Sequence, residues 1–231
     1  MDWAIDRLHL FVALYFCSDF GLSRNLSLQR GEDLTEYVVT RYYRAPEIML
    51  SSHEYSHDVD IWSAGCTLGE VMSGRIMFPG QHYIEQINLI INCRGTPNEA
   101  TRKQITNEFA LKYVESLPEK PKQDLGLLFP GQPAEAMDLL DKMLDMNPKT
   151  RIKVKTALEH AYLEKIHDPE DEPEFEGTID FSFETDPTLD LVKIQKLIIK
   201  EISYYNPDYQ HFIIEPPAAG APATDAPSVD V

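Results

Sequence analysis

One segment, residues 59–73, limits the folds open to this chain of 231 residues more than any other segment does. On a helix its apolar residues would lie on nearly all sides: Val59, Ile61, Trp62, Cys66, Leu68, Val71 and Met72. A helix that is apolar all round is stable only inside the core of a larger domain. We therefore predict a mainly α-helical domain built around this helix. With 43% hydrophobic residues, the chain can fill such a core.

Four other segments carry helical patterns, at residues 84–94, 134–146, 154–165 and 189–204. Gly95 followed by Pro97 would end the first of them, and Pro133 suits the first turn of the second. Only short strands are plausible elsewhere. Residues 22–57 are polar and without periodicity, which indicates a long loop whose end lies near Pro46. The tail at 216–231 is rich in proline and small residues, and we expect it to be disordered.

The charge balance and the cysteines limit the possible partners and compartment. A net charge of −17, from 21 Lys and Arg against 38 Asp and Glu, argues against nucleic acid or anionic membrane and for basic partners. Cys17, Cys66 and Cys93 have no metal-ligand spacing, and we interpret them as structural thiols in a reducing compartment. The apolar run at 8–17 is too short to span a bilayer. A signal peptide is conceivable there, but no small-residue cleavage site follows, and we favour a buried strand or helix.

An ordered set of motifs begins at residue 19. Asp19-Phe20-Gly21 combines a carboxylate, an apolar anchor and a permissive backbone joint, a combination that can direct one acid at a divalent metal. Alone, the tripeptide is weak evidence. The motifs that follow it, in this order, make it specific: Arg24, Thr35-Glu36-Tyr37, Arg41, Arg44, Ala45-Pro46-Glu47 and the DIWSAG sequence at 60–65.

From Asp19 to about Tyr205 the chain resembles the C-terminal lobe of a mitogen-activated protein (MAP) kinase of the Thr-Glu-Tyr, extracellular-signal-regulated type. The resemblance implies the C-terminal lobe of the protein-kinase-like fold, as an incomplete domain. It also implies a proline-directed Ser/Thr kinase lineage. On this reading the chain has five segments. Residues 1–18 are an apolar stretch that the resemblance does not cover, and residues 19–47 hold the metal-binding motif and the activation loop. A helical lobe with the MAP kinase insert at about 78–134 spans 48–166, an acidic docking segment with a C-terminal extension helix spans 167–215, and the tail spans 216–231.

In that family the activation loop is a phosphorylation switch. The resemblance implies that an upstream dual-specificity MAP kinase kinase phosphorylates Thr35 and Tyr37. Arg24 would then bind phosphothreonine, and Arg41 and Arg44 would bind phosphotyrosine. An isolated Thr-Glu-Tyr sequence is more often an inert surface loop, but the motifs around this one favour the switch.

Five further residues resemble structural positions of the family. Glu47 and Arg151 would form a buried ion pair between the end of the activation loop and a later helix. Asp60 would begin the central helix and hold the backbone of the catalytic loop. Phe20 would anchor the Asp-Phe-Gly motif in the core, and Gly21 would provide its flexible joint.

The acidic stretch DPEDEPEFE at 168–176 allows two interpretations. A run of charge is usually a solvated surface. However, Asp168, Asp171 and Glu172, followed by Pro173, match the common docking site of MAP kinases, which binds basic linear motifs in substrates and phosphatases. We favour the docking interpretation.

Several catalytic motifs of the family are absent from these 231 residues. Asp19 would hold Mg²⁺ against the phosphates of ATP, but no glycine precedes Gly21 and no lysine precedes Lys103. His9 is not followed by the Arg-Asp of a catalytic loop, so the catalytic base is missing. We expect this chain alone to be inactive and to bind neither ATP nor Mg²⁺. The central helix would lose part of its cover, which would make the chain marginally stable.

Three functions therefore remain open from the sequence. The chain is part of a Ser/Thr protein kinase by lineage, or an inactive docking module that competes for MAP kinase partners, or a fragment without function of its own. Residues 1–18 are consistent with an alternative start, a truncated splice form or an incorrect gene model. The resemblance implies a location in cytoplasm and nucleus.

Overall fold

The computed structural model describes residues 40–51, 56–172, 177 and 182–208. The chain divides into two compact units, Met1–Pro173 and Glu174–Val231. Within the described ranges every regular element is an α-helix or a 3₁₀-helix and no strand occurs, so the mainly helical fold predicted from the sequence is confirmed.

The first unit is a set of helices joined by short connections. In chain order they are α1 (Pro46–Leu50), α2 (Asp58–Ser73), α3 (Tyr83–Arg94), α4 (Glu99–Arg102), α5 (Glu108–Ser116), α6 (Leu125–Leu128), α7 (Ala134–Met143) and α8 (Val154–Leu158). Two 3₁₀ turns accompany them, at Arg41–Tyr43 and Ala161–Leu163. The core is formed by one main cluster of buried side chains, with Trp62 stacked on Phe78 at a ring-centroid distance of 6.0 Å.

The central helix α2 matches the predicted segment at 59–73. It buries a single stripe, however, rather than its whole circumference. The buried residues recur at intervals of three and four, as one helix face requires: Trp62, Gly65, Cys66 and Gly69. A Cβ atom on Gly65 would lie 3.0 Å from Cβ of Met143, so this glycine lets α7 pack closely on α2. Gly74, at a φ of 70°, ends the helix in the left-handed conformation.

Helix α3 agrees with the prediction at both ends. The Nδ1 atom of His82 accepts a hydrogen bond from the backbone N–H of Glu85 and caps its start. Gly95 ends it at a φ of 82°, a conformation that favours glycine. Helix α7 ends at Met143, three residues before the predicted end, because the carboxylate of Asp145 accepts the N–H of Asn147 and closes a separate turn.

The predicted single helix at 154–165 is wrong. Helix α8 stops at Leu158, and a 3₁₀ turn follows at Ala161–Leu163. The Nδ1 atom of His160 accepts the N–H of Tyr162 at 3.3 Å, which starts the second element separately. The long loop predicted within residues 22–57 was expected to end near Pro46, and α1 begins at that residue, where proline fits the first helical turn.

The second unit contains the 3₁₀ turn Ser182–Thr185 and helix α9, Leu191–Tyr205. This helix starts two residues after the predicted position because Asp190 caps it by accepting the N–H of Lys193 at 2.8 Å. The apolar stripe predicted for it is exposed: Leu191, Ile194, Leu197, Ile198 and Ile202. No helix within the described residues has the length and apolar character required to cross a membrane.

Candidate functional site

The chain just after the Thr-Glu-Tyr motif is held by hydrogen bonds to α2 and to the residues just before α3. The guanidinium of Arg41 donates to the carbonyl of Gln81 at 2.9 Å. The hydroxyl of Tyr43 donates to the Glu70 carboxylate at 2.6 Å, and the hydroxyl of Ser63 donates to the Tyr43 carbonyl at 2.9 Å. Residues 41–43 therefore have one defined position against the helical body.

The Ala45-Pro46-Glu47 motif ends in a bidentate ion pair. One guanidinium nitrogen of Arg151 lies 2.7 Å from Oε1 of Glu47 and the other lies 2.9 Å from Oε2. The Arg151 side chain is fully buried, and the Glu47 side chain is 10% exposed. The structure therefore brings together the two residues that the sequence analysis paired, although 104 positions separate them.

Arg151 also organises the backbone around it. Its Nε donates to the carbonyl of Asp145 at 2.9 Å, and a terminal nitrogen donates to the carbonyl of Asp58 at 2.7 Å. The guanidinium carbon lies 5.2 Å from the centroid of the Trp62 ring, within the range of a cation–π contact. The start of α2, the turn after α7 and the Ala45-Pro46-Glu47 motif thus meet at one buried cation.

The acid at the start of α2 that makes contacts is Asp58, which the sequence analysis did not single out. Its carboxylate accepts from Lys153 and from the hydroxyl of Ser56. Burial alone would raise its pKa, but the bonds from Lys153 and Ser56 outweigh burial and lower the pKa below its usual value. Asp60, the predicted acid, lies in the same first turn with its side chain exposed to solvent.

A second buried arginine was also missed. Arg94, the last residue of α3, donates to the carbonyl of Leu144 at 2.7 Å and to the carboxylate of Asp141 at 2.9 Å. Lys122 pairs with the same carboxylate. The sequence signal for this network is the basic residue in the last helical turn, where it can also reach carbonyl groups.

The acidic residues that the sequence analysis assigned to docking lie in and beside one turn. The N–H of Asp171 donates to the carbonyl of Asp168 at 3.0 Å, and Oδ1 of Asp168 accepts the N–H of Glu170 at 3.0 Å. Asp168, Glu170 and Asp171 are exposed. Glu172 differs, because its carboxylate lies 2.9 Å from Nδ1 of His167. The turn therefore presents three exposed carboxylates, one of which, that of Asp168, already accepts a backbone N–H, and we name residues 168–172 the docking turn.

Seven further residues were predicted as site residues, and the structure describes one of them, Arg44. Arg44 is half-buried. The remaining residues lie outside the described residues: Asp19, Phe20, Gly21, Arg24, Thr35 and Tyr37. In the ranges that are described, there is no group of three or more His, Cys, Asp or Glu side chains that could hold a metal ion.

Comparison with known proteins identifies the family. Residues 16–163 match the protein kinase domain. The chain is 46% identical over 187 residues to mitogen-activated protein kinase spm1 of Cytospora mali and 48% identical over 185 residues to mitogen-activated protein kinase mpk-1 of Caenorhabditis elegans. It is 43% identical over 216 residues to mitogen-activated protein kinase MPS1 of Pyricularia oryzae.

These alignments cover 80%, 79% and 92% of this chain. The chain in turn spans 44%, 41% and 51% of the length of those relatives, about half of each. The helical architecture, the buried pair after the activation loop and the match to the kinase domain agree with one another. The chain belongs to the protein kinase family, in its mitogen-activated protein kinase branch.

Proposed function

We propose that this chain is part of a MAP-kinase-type Ser/Thr protein kinase and that its own activity is to bind basic linear motifs through the docking turn. The partners would be peptides of substrates and phosphatases that carry clustered Lys and Arg beside apolar residues. The observation that supports this most directly is that Asp168 and Asp171 are both exposed and lie in one hydrogen-bonded turn. Carboxylates placed in this way attract cationic peptides without large desolvation costs.

The carboxylates of the turn are not equally available. The carboxylate of Asp171 has no hydrogen-bond or ion-pair partner among the residues that the structure describes, whereas one oxygen of the Asp168 carboxylate already accepts a backbone N–H. Glu172 is engaged by His167. We therefore assign the largest share of peptide binding to Asp171, a smaller share to Asp168 and the smallest to Glu172.

Phosphoryl transfer belongs, in this proposal, to a kinase that also contains the motifs missing from these 231 residues. ATP and Mg²⁺ would bind in that kinase, with Asp19 as a metal ligand, and an upstream MAP kinase kinase would phosphorylate Thr35 and Tyr37. The anchored position of residues 41–47 supports the switch, because a phosphorylated loop needs a fixed framework on which to order. Without the catalytic base, these residues alone would not transfer phosphate.

The test is a binding titration of the purified chain with a fluorescently labelled Lys/Arg-rich peptide, followed by fluorescence polarisation. The variant Asp168→Asn/Asp171→Asn keeps the shape of the turn, and its amide oxygens can still accept the backbone N–H. We expect it to bind at least about tenfold more weakly, and we expect wild-type binding to weaken as salt increases.

A matched control is Glu115→Gln/Glu119→Gln, which removes the same charge from two exposed positions on the first unit. Equal weakening by the two double variants would show that net charge, and not the docking turn, attracts the peptide. Thermal unfolding is measured on every sample. A chain that binds no peptide and unfolds without a cooperative transition would be a fragment with no function of its own, and the proposal would fail.

A kinase assay with ATP, Mg²⁺ and a Ser/Thr-Pro peptide completes the test. The expected result is no turnover by the wild-type chain. Turnover that is lost in Asp19→Ala would contradict the assignment of this chain as inactive by itself.

A further inference from the structure

A cavity of about 450 Å³ lies in the second unit. It is lined by the 3₁₀ turn Ser182–Thr185, by the short chain that follows this turn and by one face of α9. All of its lining residues fall within 182–200, so the cavity shares none with the docking turn. Its volume falls within the range typical of small-molecule sites.

One part of the cavity wall is apolar and is formed by Phe183, Leu189 and Leu197. Phe183 is 45% exposed and Leu197 is 40% exposed, so both side chains retain surface that a ligand can cover. Covering apolar surface is favourable, and an aromatic side chain pairs well with a second ring. This part of the wall therefore suits a flat apolar group, an aromatic ring in particular.

The other part of the wall is basic. Lys193, Lys196 and Lys200 recur at intervals of three and four on α9 and so lie on one face of the helix. Lys193 is already engaged, because its ammonium group lies 3.3 Å from the carboxylate of Asp186 and also donates to the hydroxyl of Thr188. The ammonium groups of Lys196 and Lys200 form no hydrogen bond or ion pair with any residue that the structure describes.

The two unpaired cations are placed to act together. Residues four apart on a helix have Cβ atoms only about 5–6 Å apart, so the flexible side chains of Lys196 and Lys200 can reach the same anion. A phosphate monoester carries about −1.5 to −2 charge at pH 7 and offers three acceptor oxygens, enough for both ammonium groups. A single carboxylate would balance only one of them.

We propose that this cavity binds an aromatic phosphate monoester, with the ring against Phe183 and Leu197 and the phosphate between Lys196 and Lys200. At about 30 Å³ for each water-sized group, the cavity holds roughly fifteen such groups, enough for phenyl phosphate with its about eleven non-hydrogen atoms. The site is distinct from peptide docking, since the docking turn attracts cations and this cavity attracts anions.

The test is an NMR titration of the purified chain with phenyl phosphate. Phenol, which lacks the charge, and inorganic phosphate, which lacks the ring, are titrated in parallel. The backbone amide signals of Lys196, Leu197 and Lys200 should shift and saturate with phenyl phosphate, while the amide signal of Lys112 in the first unit stays in place. Phenyl phosphate should bind at least about fivefold more tightly than either counterpart, because it alone uses both parts of the wall.

Lys196→Met/Lys200→Met removes the two unpaired charges and keeps residues that favour a helix. It should weaken binding of phenyl phosphate about tenfold or more, since each partly exposed charge pair contributes about three- to fivefold, and should leave phenol binding unchanged. Lys112→Met/Lys165→Met, which removes two exposed lysines outside the cavity, is the matched control and should change neither.

Phe183→Leu tests the apolar part of the wall separately. It should weaken phenyl phosphate about two- to fivefold, by loss of the ring contact, and leave inorganic phosphate unchanged. Circular dichroism is measured on every variant. The NMR shifts of the wild-type chain locate the ligand even if a variant does not fold.

The same chemistry could come from a free phosphate ester or from a phosphotyrosine side chain. A short alanine peptide with one phosphotyrosine distinguishes them, because tighter binding than phenyl phosphate assigns the side chain and weaker binding assigns the free ester. Both results support the site, provided that Lys196→Met/Lys200→Met weakens the binding.

The proposal is overturned if phenyl phosphate causes no saturable shift on α9 or binds the double lysine variant as tightly as the wild type. Equal weakening by the control variant would show that net charge alone attracts the ligand, and would overturn it too. Binding of phenol or inorganic phosphate as tight as that of phenyl phosphate would also refute it, because one part of the wall would then contribute nothing.

Discussion

The ion pair between Glu47 and Arg151 gives the sharpest stability prediction. Exposed ion pairs contribute about 0–1 kcal/mol, but removing one partner of a buried pair costs about 3–5 kcal/mol. The second value applies here, because Arg151 is fully buried and Glu47 is 10% exposed. Arg151→Met would leave the carboxylate and the carbonyls of Asp58 and Asp145 without their donor. We expect this variant to lose about 3–5 kcal/mol of unfolding free energy.

That loss is a large fraction of the stability of an ordinary domain, which is about 5–15 kcal/mol. At about 2–4 °C for each kcal/mol in a chain of this size, the midpoint of thermal unfolding should fall by about 6–20 °C. Urea denaturation, followed through tryptophan fluorescence, gives the free energies. Lys103→Met, which breaks an exposed pair with Glu99 whose side chains are 73% and 76% exposed, should cost less than about 0.5 kcal/mol and serves as the control.

A double-mutant cycle separates the pair from the other contacts of Arg151. Glu47→Gln removes the negative charge and keeps an oxygen that accepts from the guanidinium. The combination with Arg151→Met should cost less than the sum of the single variants by about 1–3 kcal/mol. A cost for Arg151→Met below about 1 kcal/mol, or strictly additive costs, would refute the view that this buried pair holds the Ala45-Pro46-Glu47 motif on the helices of the first unit.

Three further predictions concern the helical body. Gly95→Ala should lower the unfolding free energy measured by urea denaturation by about 2 kcal/mol or more, because φ is 82° and the new Cβ would lie 2.8 Å from a backbone atom. Gly131→Ala, at a φ of 84° in open space, should cost less. Equal costs would contradict the steric reason. Partial burial of Asp141 raises its pKa, but Lys122 and Arg94 outweigh burial and lower the pKa below the usual value. The ionised carboxylate therefore stabilises the fold above about pH 5, and this contribution is lost as the pH falls below about 4. Asp141→Asn should therefore be less stable than wild type, by about 1 kcal/mol or less, at pH 7 but equal to it near pH 2, and a gap that persists in acid would refute this. Burial raises the pKa of the thiols of Cys66 and Cys93, so peptide mapping should find neither alkylated by iodoacetamide at pH 8 in the native chain and both alkylated after unfolding.

The helices that could be predicted are those whose signals are local. Helix α2 was found from its density of apolar residues, and α3 was found from its periodicity and from Gly95. The helices α4, α5 and α6 were not predicted; α4 and α6, with four residues each, are too short to show a period. A signal was present nevertheless, because Asn98, Asn107 and Asp124 each cap the helix that follows.

Local sequence patterns could not predict the contacts between residues that lie far apart in the sequence. Composition and spacing cannot pair an acid with an arginine 104 positions away, and only the resemblance to a family suggested Glu47 and Arg151. The network of Arg94 with Asp141 had no such guide. The break after α8 was missed because Ala161 and Leu163 continue the apolar pattern, while the cause, a cap by His160, depends on one side-chain hydrogen bond.

The buried cation also sets an order of events during synthesis of the protein. Glu47 leaves the ribosome 104 residues before Arg151, a delay of about 5–20 s at ordinary rates of translation. During that interval the carboxylate has no partner, and Trp62, over which the guanidinium comes to lie, lacks that neighbour as well. Glu47 can therefore gain its buried partner only after Arg151 has been synthesised, so this part of the core is completed late in synthesis.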